Sequence, residues 1–202
     1  MFYLTITVLA AVLSTAVAQG GVIWPRVAES KFGADDVTIL RNVEFVTKGP
    51  NVKTLTAAYE RYKLIMFPHA TPEASTSTII LVQVEVEDLS EGYPQLETDE
   101  SYQLSVSTDG AAIISAKTVY GALRALESFS QLVLFDYDQE QYVVPNCPLN
   151  IKDAPRFPHR GLLLDTSRHF QPLSEIERTI DALSYAKYNG KQFTNNTHCT
   201  LP

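Results

Sequence analysis

Ala154-Pro155-Arg156-Phe157-Pro158-His159-Arg160-Gly161-Leu162-Leu163-Leu164-Asp165-Thr166-Ser167-Arg168-His169-Phe170 is the stretch on which the reading of this chain turns. Its prolines hold the approach extended. Gly161 to Asp165 then reads as a short strand, and a polar loop follows with Asp165, Arg168 and His169. The Leu162-Leu163-Leu164 run lacks apolar–polar alternation, as expected of a strand covered on both faces in a parallel sheet. A helix starts directly afterwards. Ser174-Glu175-Ile176-Glu177 fits a capping box, Ile176, Ile180 and Leu183 share one face, and Asn189-Gly190 is the expected stop. Lys191 to Pro202 has no apolar period and is expected to be a disordered tail.

Upstream, strand and helix signals alternate. Val37–Leu40 and Val43–Val46 are short β-rich pieces split by Arg41-Asn42, which suggests a hairpin. Thr54 to Phe67 reads as a helix with Leu55, Ala58, Tyr59, Tyr62 and Met66 on one face, so the two tyrosines are expected in the core. Ile79 to Glu87 ends in strict alternation, the mark of a strand buried on one side, which leaves Glu85 and Glu87 as solvated charges. Ser101 to Ala116 is a hairpin turned by Asp109-Gly110, where glycine supplies the positive φ. Thr118 to Leu134 carries Val119, Leu123, Leu126 and Val133 at helical spacing. The expected fold class is therefore α+β, a mostly antiparallel sheet with two helices on one face. Val143 to Pro158, with prolines at 145, 148, 155 and 158, is expected to be an extended linker.

Residues 1–18 contain no charged side chain. Leu4 to Leu13 is nearly all apolar, and Ala16-Val17-Ala18 gives the small residues of a signal-peptidase site. A cleaved secretory signal is expected, since the apolar run is too short for a comfortable membrane span. The departure from that pattern is the missing basic residue near Met1. Net charge −7 over 202 residues, with no Lys/Arg cluster in sequence, argues against a nucleic-acid partner. The two cysteines, Cys147 and Cys199, make no disulfide framework, and pairing between them is left open. His69, His159 and His198 form no metal spacing with each other or with the cysteines. Asn195-Asn196-Thr197 is an N-glycosylation sequon at Asn195.

Arg156 to Phe170, continued through Pro172-Leu173 and Leu183-Ser184-Tyr185-Ala186-Lys187-Tyr188-Asn189, resembles the start of the catalytic barrel of eukaryotic β-N-acetylhexosaminidases, glycoside hydrolase family 20. Glu100 to Leu104 and Thr118 to Leu132 are similar to that family's N-terminal domain. The resemblance covers about residue 22 to Asn189. With the signal peptide read over 1–18, it implies an N-terminal α+β domain over 19–150, and over 151–189 a linker and the first βα unit of an incomplete (β/α)₈ barrel. A divergent tail over 190–202 completes that division.

The resemblance further implies hydrolysis of terminal β-linked N-acetylglucosamine or N-acetylgalactosamine. In that mechanism the sugar's own acetamido oxygen attacks the anomeric carbon, one carboxylate orients the amide, and a neighbouring Glu protonates the leaving oxygen. No metal or organic cofactor is implied, and the location is the secretory pathway, lysosomal or extracellular. Arg160 matches the family's sugar-binding Arg, whose fork of donors can hold two vicinal hydroxyls; by residue type alone it reads as a structural tie between strand and linker. Asp165 is expected to pair with Arg168 or to cap loop amides, and His169 to be a satisfied polar group. No catalytic residue is assigned, because no adjacent Asp-Glu pair follows Arg160 and Asp99-Glu100 lies in the other domain. The expectation is a truncated family member without catalysis of its own. The alternative is a non-catalytic secreted module that binds a full-length hexosaminidase subunit or a glycan. Arg160 to Asn189 is expected to be loosely docked or molten in isolation, while Val22 to Asn146 keeps its own core.

Overall fold

The computed structural model describes residues 23–70 and 78–194. In chain order the elements are β1 (Glu29–Lys31), β2 (Asp35–Thr47), α1 (Lys53–Met66), β3 (Ile79–Asp88), β4 (Tyr102–Val106), β5 (Ala112–Thr118), α2 (Val119–Leu132), β6 (Leu134–Asp136), β7 (Gln141–Cys147), β8 (Leu149–Asp153), β9 (Gly161–Asp165), α3 (Leu173–Tyr185) and β10 (Gly190–Thr194). Strands β1 to β8 form one curled sheet in the order β1-β8-β4-β5-β3-β2-β7-β6, and β9 with β10 form a second.

The α+β class is as expected, but the large sheet is mixed rather than mostly antiparallel. Its centre, β2-β3-β5, runs parallel, and its flanks run antiparallel. The cause is α1, which carries the chain back across the sheet between β2 and β3, as a parallel pair requires. Both helices pack on the same face. Phe45 of β2 stacks on Tyr59 of α1 at 5.1 Å between centroids and meets Phe129 of α2 edge-on at 6.2 Å. Tyr59 and Tyr62 are buried together with Leu55, Leu126, Val82, Val84 and Ile114 in one core. The alternation of β3 follows: Val82, Val84 and Val86 point inward, while Gln83, Glu85 and Glu87 stay on the open face.

The 101–116 hairpin forms with Tyr102 opposite Ala116 and Val106 opposite Ala112. Gly110 turns it at φ +89°, and a Cβ there would lie 2.2 Å from the Thr78 carbonyl oxygen. The hairpin expected at Arg41-Asn42 does not form. Residues 35–47 are one continuous strand that pairs with β7 through its first half and with β3 along its other edge, with a register shift between Ile39 and Glu44. A tight two-residue reversal needs residues at positive φ, and neither Arg41 nor Asn42 adopts one.

Much of the expected linker over 143–158 is sheet. Strands β7 and β8 flank Pro148, and β8 pairs with both β1 and β4. Pro145 is tolerated because it falls where the β2–β7 register shifts between Asp35 and Val37, a bulge in which no ladder N–H is required. The sheet therefore closes at Asp153, just past the expected boundary at 150.

The tail expectation also needs correcting for its first residues. Gly190–Thr194 pairs in parallel register with Gly161–Asp165, and α3 crosses between them as a βαβ unit. Lys191 to Thr194 carry no strand-like apolar run; backbone pairing with β9 makes them a strand. Residues 195–202, including Asn195 and Cys199, lie outside the described residues, as does the expected signal segment. Strand β9 is not covered on both faces: Leu163 is 53% exposed, and α3 has no buried residue. The capping box is absent too. Pro172 occupies the N-cap without a side-chain hydrogen bond, and the helix ends at Tyr185, with Lys187 at φ 57° just past the Ala186 C-cap, rather than at Asn189-Gly190.

Candidate functional site

Two clusters of polar side chains sit at opposite ends of β9. At its N-terminal end, Arg160 donates from Nε to the Lys187 carbonyl oxygen (2.8 Å), from one terminal nitrogen to the Phe157 carbonyl oxygen (2.8 Å), and from the other to Glu100 Oε2 (2.5 Å). Glu100 Oε2 also accepts from Arg124 Nε of α2 at 2.5 Å, and Oε1 accepts from Asn189 Nδ2 at 3.1 Å. Burial works against ionising this carboxyl, but Arg124 and Arg160 outweigh it and hold Glu100 below the usual carboxylate range. Asn189 completes the clasp. Its Oδ1 accepts from the Arg160 backbone N–H at 2.9 Å, and its Nδ2 also donates to the Pro158 carbonyl oxygen at 2.7 Å.

Beside this clasp lies a buried ammonium. Lys187 Nζ donates to Ser128 Oγ (2.6 Å), Tyr102 Oη (3.0 Å) and Asp153 Oδ2 (3.4 Å), so all three of its protons are engaged. Burial pulls its pKa down against the pull of Asp153. Tyr102 donates to Asp153 Oδ2 at 3.0 Å, and burial pushes the phenol well up. Glu100, Tyr102, Arg124, Ser128 and Asp153 come from the large sheet and its helices, while Arg160, Lys187 and Asn189 come from the βαβ unit. The clasp is thus the polar joint between the two layers.

At the C-terminal end of β9, Asp165 accepts from the backbone N–H groups of Ser167 (3.0 Å) and Arg168 (3.2 Å) and from Arg168 Nε. Asp165 thus does both things expected of it, pairing with Arg168 and capping the loop. The Arg168 side chain is 81% exposed, and His169 and Phe170 are exposed beside it. Glu85 lies on the open sheet face, where Lys48 Nζ reaches it at 3.1 Å. Cys147 is fully buried, its thiol pushed up to about 11 by burial and by Asp36 and Asp35. Among the described residues no group of three or more His, Cys, Asp or Glu is placed to hold a metal ion, and no helix is long and apolar enough to cross a membrane.

Sequence reasoning reached Arg160, Asp165 and Arg168 and missed the partners Glu100, Arg124 and Lys187. A lysine just past an amphipathic helix, two residues before Asn189-Gly190, is the signal that could have found Lys187; nothing local marked Glu100.

A family model described as "beta-acetyl hexosaminidase like" matches residues 23–132, and one for the glycosyl hydrolase family 20 catalytic domain matches residues 157–193. "Beta-hexosaminidase 1" of Arabidopsis thaliana is 40% identical over 190 residues, covering 83% of this chain and 34% of the relative. The rat "Beta-hexosaminidase subunit alpha" is 40% identical over 144 residues, covering 67% of this chain and 26% of the relative. The crystal structure of the Flavobacterium johnsoniae chitobiase aligns with a TM-score of 0.69 at 27% identity, over 87% of this chain and 27% of that one. The chain thus spans between about a quarter and a third of the length of the relatives it matches.

Proposed function

Because this chain belongs to the glycosyl hydrolase family 20 β-hexosaminidases, we propose that it serves the removal of terminal β-linked N-acetylhexosamine from glycans. In this reading residues 23–153 are the supporting α+β domain, and 157–194 are the opening βαβ unit of the catalytic barrel. The observation that carries the proposal is the joint. The two matched segments are locked by Glu100–Arg160, and Lys187 of the second also pairs with Asp153 at the end of the large sheet, which supports an N-terminal domain that fixes where the first barrel strand begins.

The 202 residues supply neither the amide-orienting carboxylate nor the proton-donating Glu as an adjacent pair after Arg160. General-acid catalysis worth about 10²–10⁴-fold is therefore lacking in them. Barrel chemistry takes place at the C-terminal ends of the strands. In this reading Arg168, exposed and oriented by Asp165, lies on the substrate side. Arg160 sits at the opposite end, and a direct sugar contact from it would compete with three protein oxygens; the geometry favours a positioning role for it. The test is hydrolysis of a chromogenic β-N-acetylglucosaminide by the purified chain and by its Arg160→Ala variant. Rates equal to the blank for both are expected. Turnover that Arg160→Ala abolishes would refute the reading.

Exposed Leu163, Ile180 and Phe193 on the βαβ unit favour a second reading, in which this chain associates with a full-length β-hexosaminidase subunit. Sedimentation of a mixture of the two, with no complex heavier than either component, would count against it. Delivery into the secretory pathway, to lysosome or exterior, with cleavage after Ala18 and a glycan at Asn195, completes the proposal. An N-terminus at Gln19 and an endoglycosidase-sensitive mobility shift would be its signatures.

A further inference from the structure

A cavity of about 520 Å³ opens where the large sheet, the 154–160 segment and the N-terminal strap at residues 25–28 meet. Five of the 16 Lys and Arg residues of this acidic chain line it (Arg26, Arg124, Arg156, Arg160 and Lys187), against one acidic lining residue, Asp153. Behind the wall, Glu100 neutralises part of this charge by pairing with Arg124 and Arg160, and Asp153 pairs with Lys187. Five cations against these two carboxylates still leave three positive charges, in a protein whose net charge is −7.

The surplus has an address. Among the described residues Arg26 forms no hydrogen bond or ion pair, and Arg156 has only the face of Phe157, 5.6 Å from its ring centroid. Arg124 donates to Glu100 through Nε alone, which leaves its two terminal nitrogens without a protein acceptor. Solvated surface arginines are a common and harmless finding, but these belong to one cavity whose inner end is built from buried Lys187 and half-buried Arg124 and Arg160. Apart from Tyr102, the remaining wall is apolar: Pro25, Ala28, Ala154, Pro155 and Phe157.

We infer that this cavity is a binding site for a small molecule carrying a phosphate or sulfate group on a ring-sized apolar body. Three arginines with unengaged donors lining one space suit a tetrahedral oxyanion, whose three free oxygens exceed what a carboxylate presents. The volume lies within the usual range for small-ligand sites and far exceeds a bare oxyanion, and the proline and phenyl walls suit a ring rather than water. The site is separate from the loop at the C-terminal end of β9, so it stands whether or not the hydrolase reading does.

Calorimetric titration of the full chain with phenyl phosphate, and separately with inorganic phosphate, at constant ionic strength set with chloride, tests the assignment. Saturable binding of phenyl phosphate is expected. An affinity about tenfold above that of inorganic phosphate is expected for an ester ligand, and equal affinities would overturn the ring-bearing ligand in favour of the free oxyanion. Arg26→Gln with Arg156→Gln, both exposed and without partners to lose, should weaken binding by at least about tenfold. Hydrogen exchange provides a readout that needs no variant: phenyl phosphate should protect amides near residues 26–28 and 156–160. No binding of either probe above the chloride background, unchanged affinity in the double variant, or protection confined to another region would each overturn the site.

Discussion

Glu100→Gln removes the charge on which two guanidiniums and one amide converge. Leaving one side of a buried ion pair uncompensated costs about 3–5 kcal/mol. Here the side chains of Arg124 and Arg160 are 16% and 15% exposed against 9% for the carboxylate, so water reaches the stranded charges in part. A glutamine oxygen would still accept one of the hydrogen bonds. The expected loss is therefore about 2–3 kcal/mol, or about 4–12 °C in the melting temperature of a chain of this size.

The location of the loss is the sharper test. Helix α3 has no buried residue, so polar contacts rather than burial hold the βαβ unit to the sheet. Hydrogen exchange should quicken at Leu162–Leu164 and Lys191–Phe193 in Glu100→Gln, while β3 and β5 keep their protection. The arginines hold Glu100 below its ordinary value of 4.5. Its stabilisation is thus fully present above that value and is lost as pH falls through the folded-state pKa. Protection of β9 in the parent should fall on acidification below about pH 4.5, a step that Glu100→Gln should lack. Unchanged exchange in β9 and β10, or a loss spread evenly over the large sheet, would refute the idea that Glu100 is the joint.

Other changes test other links. Gly110→Ala forces a Cβ to 2.2 Å from the Thr78 carbonyl oxygen at φ +89°, and should cost about 2–4 kcal/mol in denaturant unfolding. Thr118→Ala removes the hydroxyl that accepts from the Gly121 N–H at 3.2 Å at the start of α2, with about 1 kcal/mol lost in the same assay. Tyr62→Phe deletes a hydroxyl that donates to buried Glu127 at 2.9 Å and accepts from Arg61 at 2.9 Å. Glu127 keeps its bond from Gln131, so the loss should be about 1–2 kcal/mol. Leu126→Ala, at a fully buried position of α2, should cost about 2–5 kcal/mol and lower the midpoint without changing the denaturant slope.

Much of the fold could be read in the sequence because periodicity reports burial. The 3.6-residue spacing of Leu55, Ala58, Tyr59, Tyr62 and Met66, and the alternation from Val82 to Glu87, each mark a face that the core must cover. Strands whose identity comes from pairing left no such mark. Residues 143–153 were hidden by prolines that sit at a bulge and between two strands, and Gly190–Thr194 by a polar composition that only its parallel partner overrides. Strand direction was hidden as well, since alternation does not say whether a neighbour runs parallel; the α1 crossover decides that. Glu100 was invisible for a related reason. A carboxylate becomes part of a site by meeting Arg124 and Arg160, 24 and 60 residues away, and no local pattern encodes that meeting.

Strand polarity finally separates the two arginines that the motif contains. Arg160 and Arg168 are eight positions apart in the same run, and both carry donors suited to sugar hydroxyls, so residue type cannot rank them. Once Gly161–Asp165 is a strand, one arginine lies before it and the other after it. The arginine before the strand is enclosed: its Nε and both terminal nitrogens end on protein oxygens, and it shares one carboxylate with Arg124. Among the described residues the side chain of the one after the strand is held only through Nε by Asp165, and it is 81% exposed at the end where barrel enzymes assemble their sites. Enclosure suits an element that must set the strand's position once and keep it. An aimed but open fork suits one that must exchange water for a ligand. Under the proposed function the same motif divides into a positioning end at Arg160 and a ligand-facing end at Arg168, and it is the direction of β9 that divides it.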